Sequence, residues 1–151
     1  EAHPDPNAFR LLLESLLALE VLDSLNTLSR LFEMRLVCLA GYTPQLSHCS
    51  ICKRPVGIEK TGFSFKHRGI VCEPCFFKAQ PEMYFQPRTL KYLKKIKTMD
   101  IKHANRLKFP KGVEQEIEQL THKLILSHTG RELKSYPFIK RMARVDLEIK
   151  V

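Results

Sequence analysis

Four of the five cysteines in this 151-residue chain form two C-x-x-C pairs, Cys49-x2-Cys52 and Cys72-x2-Cys75, with 19 residues between them. A C-x-x-C turn brings two sulfurs to one point, and a hairpin connector can swing a second pair round to complete a tetrahedron. The expected chemistry is therefore a structural Zn2+ site, one ion per chain, in which metal binding supplies folding energy to a segment short of core. Disulfides would suit a small secreted domain. A redox pair needs a βαβ setting that the surrounding pattern does not offer, and the twin-pair spacing favours zinc over an iron–sulfur cluster. Four thiolates leave no open coordination position, so a catalytic zinc is not expected. His48 and His67 flank the site and read as neighbouring or surface groups.

Other chemistry-bearing patterns are missing from the sequence. It has no P-loop, no G-x-G-x-x-G, no H-E-x-x-H and no G-x-S-x-G. His3, His103, His122 and His128 show no ligand spacing. The expectation is a protein that is not an enzyme. Cys38, the fifth cysteine, falls in an apolar helix and reads as a buried free thiol.

Charge points to a partner. Residues 1–48 carry three arginines against six acids, whereas residues 49–151 carry 22 Lys and Arg against ten acids. A basic body behind an acidic start fits a polyanion, either nucleic acid or an acidic protein tail. The residues expected to meet it are Lys91, Lys94, Lys95 and Lys102, read as one helix face, with Arg131, Lys134, Lys140 and Arg141 near the end. In the connector, Lys53, Arg54, Lys60, Lys66 and Arg68 could touch such a partner or face water. Phe63, Phe65, Phe76, Phe77, Tyr84 and Phe85 are interleaved with these cations, as stacking groups for bases or as core between the cysteine pairs and the helices.

The elements that must position these groups are mostly helical. Residues 6–22 are apolar on nearly every side, as in a helix buried within a bundle. Asn26 is the expected cap of a second helix with Leu28, Phe32, Leu36 and Leu39 inward, stopped by Gly41 and Pro44. Residues 49–75 lose helical spacing and read as a two-stranded ribbon. Residues 88–99 bury Leu90, Leu93 and Ile96. A longer helix opened by Pro110 buries Val113, Ile117, Leu120, Leu124 and Ile125 and ends at Gly130. Residues 144–151 alternate like a half-buried strand or a frayed tail. No stretch reads as a membrane span or secretory signal, and the start EAHPDPNAF, without Met, reads as that of a fragment. The predicted fold is mainly α: a helical bundle with an inserted four-cysteine zinc ribbon. Residues 1–48 supply its first helices, 49–80 the zinc-binding module and 81–151 the later helices and tail, in one compact domain.

The order of these features resembles one family. An apolar helix pair leads through FEMRLVCLAGYTPQLSHCSIC to the first cysteine pair, and FSFKHRGIVCEPC, RTLKYLKKI and SHTGRELKSYPFI follow. This is similar to the C-terminal portion of the bacterial recombination mediators of the RecO family, over residues 4–140. The resemblance implies a cytoplasmic, nucleoid-associated DNA-repair protein that is not an enzyme. It would bind single- and double-stranded DNA, anneal strands and assist RecA loading. Its partners would be RecR and the acidic C-terminal tail of single-strand-binding protein. The resemblance also implies zinc on Cys49, Cys52, Cys72 and Cys75. The family's N-terminal OB-fold has no counterpart here, since nothing reads as a five-stranded barrel. The alternative expectation is a zinc-stabilised interaction module that binds an acidic peptide without touching DNA.

Overall fold

A computed structural model describes residues 5–22, 24–57, 59–110 and 112–137. Five α-helices and one small sheet make up most of it. Pro6–Ala18 (α1) starts where the Asp5 carboxylate accepts from the N–H groups of Asn7 and Ala8. Leu25–Leu39 (α2) is capped by Ser24, whose hydroxyl accepts from Thr27 N at 3.2 Å, and not by Asn26. The helix therefore starts two residues earlier than expected, and the serine satisfies one of its first free N–H groups. Gly41, at φ 82°, follows the end of α2.

The ribbon has three strands rather than two. Thr61–Ser64 (β1) pairs antiparallel with Gly69–Cys72 (β2) on one side and with Met83–Phe85 (β3) on the other. β3 is only three residues long and sits between Pro81 and Pro87, too short to register as an alternation. A 3-10 turn at Glu73–Cys75 runs into the single-turn helix Phe76–Ala79 (α3). Pro87–Thr98 (α4) and Val113–Thr129 (α5) complete the bundle. α5 begins at Val113 and not at Pro110, because Gly112 at φ 88° turns the chain just before it. It ends at Gly130 in the left-handed region, as expected.

α2 is the hub: it touches α1, α4, α5 and the 3-10 segment Ile101–Arg106. One buried cluster joins Leu31, Met34 and Val37 of α2 to Leu93 and Ile96 of α4, to Ile117 and Leu120 of α5, and to Phe63 and Ile70 of the sheet. The expected inward faces of α4 and α5 are the ones observed. The face of α2 is turned: Leu28 is buried, but Phe32 and Leu36 are half-buried and Leu39 is exposed, while Leu31, Met34 and Val37 go in. Helix packing on three sides selected that stripe over its neighbour. Cys38 is accordingly only half-buried.

α1 departs furthest from expectation. Leu11, Ser15 and Ala18 are buried, yet Phe9, Leu12, Leu13, Leu16 and Leu17 are exposed. It packs on α2 and the 3-10 segment along one side and offers an apolar face to solvent. No helix among the described residues is long and apolar enough to cross a membrane. The alternating residues 144–151 lie outside the described residues.

A buried ionic group ties α2 to α5. Arg30 donates to Glu33 Oε1 at 3.0 Å and lies 3.9 Å from Glu118, Thr121 donates to Glu33, and the Tyr136 hydroxyl meets Glu118. Burial raises the Glu33 carboxyl pKa, while Arg30 and Thr121 act to lower it.

Two outcomes follow from this packing. In urea titrations, Leu31→Ala should cost about 2–5 kcal/mol, and Leu17→Ala on the open face of α1 no more than about 0.5 kcal/mol. Arg30→Met should cost about 3 kcal/mol at neutral pH, because it leaves Glu33 and Glu118 without their cation. Glu33 already has a raised pKa, so the folded variant takes up its proton at higher pH than the unfolded chain does. The deficit should therefore shrink as the pH falls toward about 5.

Candidate metal centre

Two loops deliver the sulfurs. The first is a tight hairpin: Cys49 N donates to Arg54 O, Lys53 N to Cys49 O and Val56 N to Ser47 O. Lys53 holds the left-handed conformation (φ 64°) that this turn demands, and its ammonium group reaches back to Ser50 O at 2.9 Å. The second is the end of β2, where Cys72 closes the strand and Cys75 closes the 3-10 turn.

Backbone contacts align the two loops. Gln45 N donates to Arg68 O, Ile70 N to Gln45 O, and Ser50 N to Ile70 O at 2.8 Å. That approach leaves no room for a side chain at Gly69, where a Cβ would lie 2.5 Å from Ser50 Oγ and 2.7 Å from Gln45 O. From the other side, Lys94 Nζ donates to Val56 O at 3.2 Å and Lys97 Nζ to Pro44 O at 3.1 Å, which fastens the loop to α4.

As a result the ligand atoms of Cys49, Cys52, Cys72 and Cys75 all lie within 4.8 Å of one another. Cys52 and Cys72 sulfurs are 3.6 Å apart, far from a disulfide bond, and all five cysteines are free thiols. A tetrahedral site with metal–sulfur bonds of about 2.3 Å implies sulfur separations of about 3.8 Å. The four cysteines can thus hold a metal ion.

Their acidities fit that use. Burial would raise the Cys49 pKa, but the backbone N–H groups of Cys72, Cys52 and Ile51 outweigh it and lower the pKa to about 6. Burial and the other three thiols push Cys75 up to about 12. Burial also raises Cys72, against the pull of the Arg54 guanidinium beside it. One thiolate is stabilised by backbone donors, and ionising Cys72 and Cys75 calls for a central cation.

The basic residues divide. Lys91 and Lys95 are exposed one turn apart on α4. Arg88, which the sequence reading passed over, is also exposed and extends that stripe by i, i+3 spacing. Lys94 is half-buried and engaged with Val56. Lys102 is not on the same helix as the others. α4 ends at Thr98, Met99 is extended, and Asp100 caps the separate 3-10 segment and pairs with Lys102 at 3.2 Å. Arg131 and Lys134 are exposed beyond α5, and Lys140 and Arg141 lie outside the described residues. His48 is exposed and His67 half-buried. Neither belongs to the metal-binding group.

Comparison with known proteins places this arrangement. The family described as "Recombination protein O C terminal" matches residues 1–137. The chain belongs to that family. Among relatives named DNA repair protein RecO, that of Desulforamulus reducens is 26% identical over 147 residues, covering 97% of this chain and 57% of the relative. Those of Bacillus subtilis (26% over 142 residues, 94% and 55%) and Syntrophus aciditrophicus (30% over 150 residues, 97% and 58%) are similar in the same way. The RecO-like chain thus spans little more than half the length of the curated relatives it matches. No solved structure matches it.

Native mass spectrometry should find one metal ion per chain. Cys49→Ser and Cys72→Ser should each abolish it, whereas Cys38→Ser should leave the stoichiometry unchanged. A strong chelator should lower the melting temperature and release the ribbon, since the ribbon's ordering is coupled to the ion.

Proposed function

We propose that this chain is the zinc-containing helical part of a recombination mediator, one that contacts DNA electrostatically and performs no catalysis. The observation that carries the reading is the family match across residues 1–137, whose relatives are named DNA repair proteins. The donor set supports zinc as the ion. Four sulfurs within 4.8 Å of one another match its preference for thiolate, and a four-thiolate site is closed to substrate. Zinc then acts as a clamp between the Cys49–Cys52 turn and the end of β2, a unit that Lys94 and Lys97 fasten to α4.

Binding to single- and double-stranded DNA, strand annealing, and assistance to RecA loading with RecR are proposed for the protein in which this part works. So are docking of the single-strand-binding protein tail and work among the cytoplasmic, nucleoid-bound DNA. Within this chain the favoured phosphate contacts are Arg88, Lys91 and Lys95, because they are exposed along one helix face. Arg131 and Lys134 extend the supply of exposed cations. Lys94 and Lys102 contribute less, since each already has a partner.

Fluorescence anisotropy with a labelled single-stranded oligonucleotide tests the reading. The logarithm of the affinity should fall with the logarithm of salt concentration, at a slope near −0.7 per phosphate neutralised. The Lys91→Gln/Lys95→Gln double variant should reduce that slope by about 1.4 and leave the metal content unchanged. Affinity that does not respond to salt would overturn the proposal.

A further inference from the structure

Phe77 is 96% exposed, the most exposed of the large apolar side chains among the described residues. Its position explains why. α3 is a single turn that buries Ala79 and half-buries Phe76, so the intervening ring is carried outward. The turn is held at both ends, by Cys75 of the metal centre at its start and by Gln80 in the left-handed conformation (φ 46°) at its end. Beside it, the Phe76 ring packs edge-on against Tyr84 at 5.1 Å. Tyr84 is itself 53% exposed and carries the Lys60 ammonium group 5.8 Å from its ring centroid.

Charge selects what such a surface would take. Residues 49–80 hold six Lys and Arg against two acids. Of these acids, Glu59 is paired with Arg54 at 2.7 Å. The nearby Glu82 is exposed and accepts from Phe65 N–H through one carboxylate oxygen. Lys60, over the Tyr84 ring, and Lys78, next to Phe77 in the chain, are exposed. Exposed aromatic faces with cations beside them can stack unpaired bases while holding the phosphates between them. Duplex bases are already stacked on one another and offer no such face.

We propose that Phe77 and Tyr84, with Lys60 and Lys78, form a stacking platform for single-stranded nucleic acid on the outer side of the metal ribbon. The platform rests on the DNA-binding reading above and adds to it a site on the opposite kind of element from the α4 stripe. Because Cys75 starts the turn that carries Phe77, the metal fixes the platform in place.

The chain has no tryptophan, so the indole of a Phe77→Trp variant reports on this position alone. A 20-residue oligo(dT) should quench its fluorescence, whereas an abasic oligomer with the same number of phosphates should not. Phe77→Ala should weaken oligo(dT) binding about tenfold and leave the log–log salt slope unchanged. Lys60→Gln should instead reduce that slope by about 0.7. Phe77→Ala is also expected to keep the melting temperature and metal content of the parent, since its side chain is exposed.

If the parent binds oligo(dT), yet the indole is not quenched and Phe77→Ala binds as the parent does, the platform is wrong and the DNA-binding reading stands. If the parent binds no oligonucleotide at low salt, both fall. If Phe77→Ala weakens only the binding of an oligo-aspartate peptide ending in phenylalanine, the patch docks protein and the platform is overturned.

Discussion

Four sulfurs within 4.8 Å of one another are a problem of charge before they are a set of ligands. Backbone N–H groups can stabilise one thiolate, as they do at Cys49, but each further ionisation in so small a space is opposed by the charge already there. A divalent ion turns that repulsion into attraction. The surrounding chain is shaped to bring the sulfurs close enough for this to happen. Gly69 allows β2 to press against Gln45 and Ser50, Lys53 accepts a left-handed backbone, and α4 supplies two ammonium groups to loop carbonyls. Each contact is modest in isolation. Together they leave the second cysteine pair one place to go.

The same contacts explain why the ribbon is part of the helical body and not a tethered finger. Phe63 and Ile70 are fully buried in a cluster shared with α2, α4 and α5. The sheet has only three short strands, and an isolated sheet of that size is marginal in water. It is held from one side by apolar burial against the helices and from the other by the cysteine centre. Ordering the ribbon and assembling the metal site are therefore one process.

Much of this was legible in the residues. The paired C-x-x-C turns announced convergence because the spacing is itself the geometry. Leu90, Leu93 and Ile96, and Val113 through Ile125, were legible because each helix buries one stripe at helical spacing. The failures have physical causes. α1 has apolar residues around its whole circumference, which says that it will bury surface without saying which side; packing chose Leu11 and Ala18 and left Leu16 and Leu17 outside. On α2 two neighbouring stripes were nearly equal in hydrophobicity, and its three helical neighbours picked the one through Leu31 and Met34. β3 carries too few residues for alternation to show. Lys102 looked like part of α4 because spacing continues through a helix end that lacks a glycine, and only the Asp100 cap marks the break.

Net charge therefore overstates the surface on offer to a polyanion. Lys53, Lys94 and Lys97 donate to backbone carbonyls, Arg30 faces the half-buried carboxylates of Glu33 and Glu118, Arg54 lies between Glu59 and Cys72, and Lys102 is paired with Asp100. These cations hold the fold together. An ammonium group engaged with a carbonyl keeps its charge and still contributes to the long-range field that steers an anion inward. It must give up its bond, however, to make a direct phosphate contact, and for Lys94 that means loosening the clamp on the ribbon. Cations without such structural duties, such as Lys91 and Lys95 on α4, can grip phosphate at no cost to the fold. A polyanion meeting this chain would thus be held at a few positions, even though the field that attracts it is spread over many.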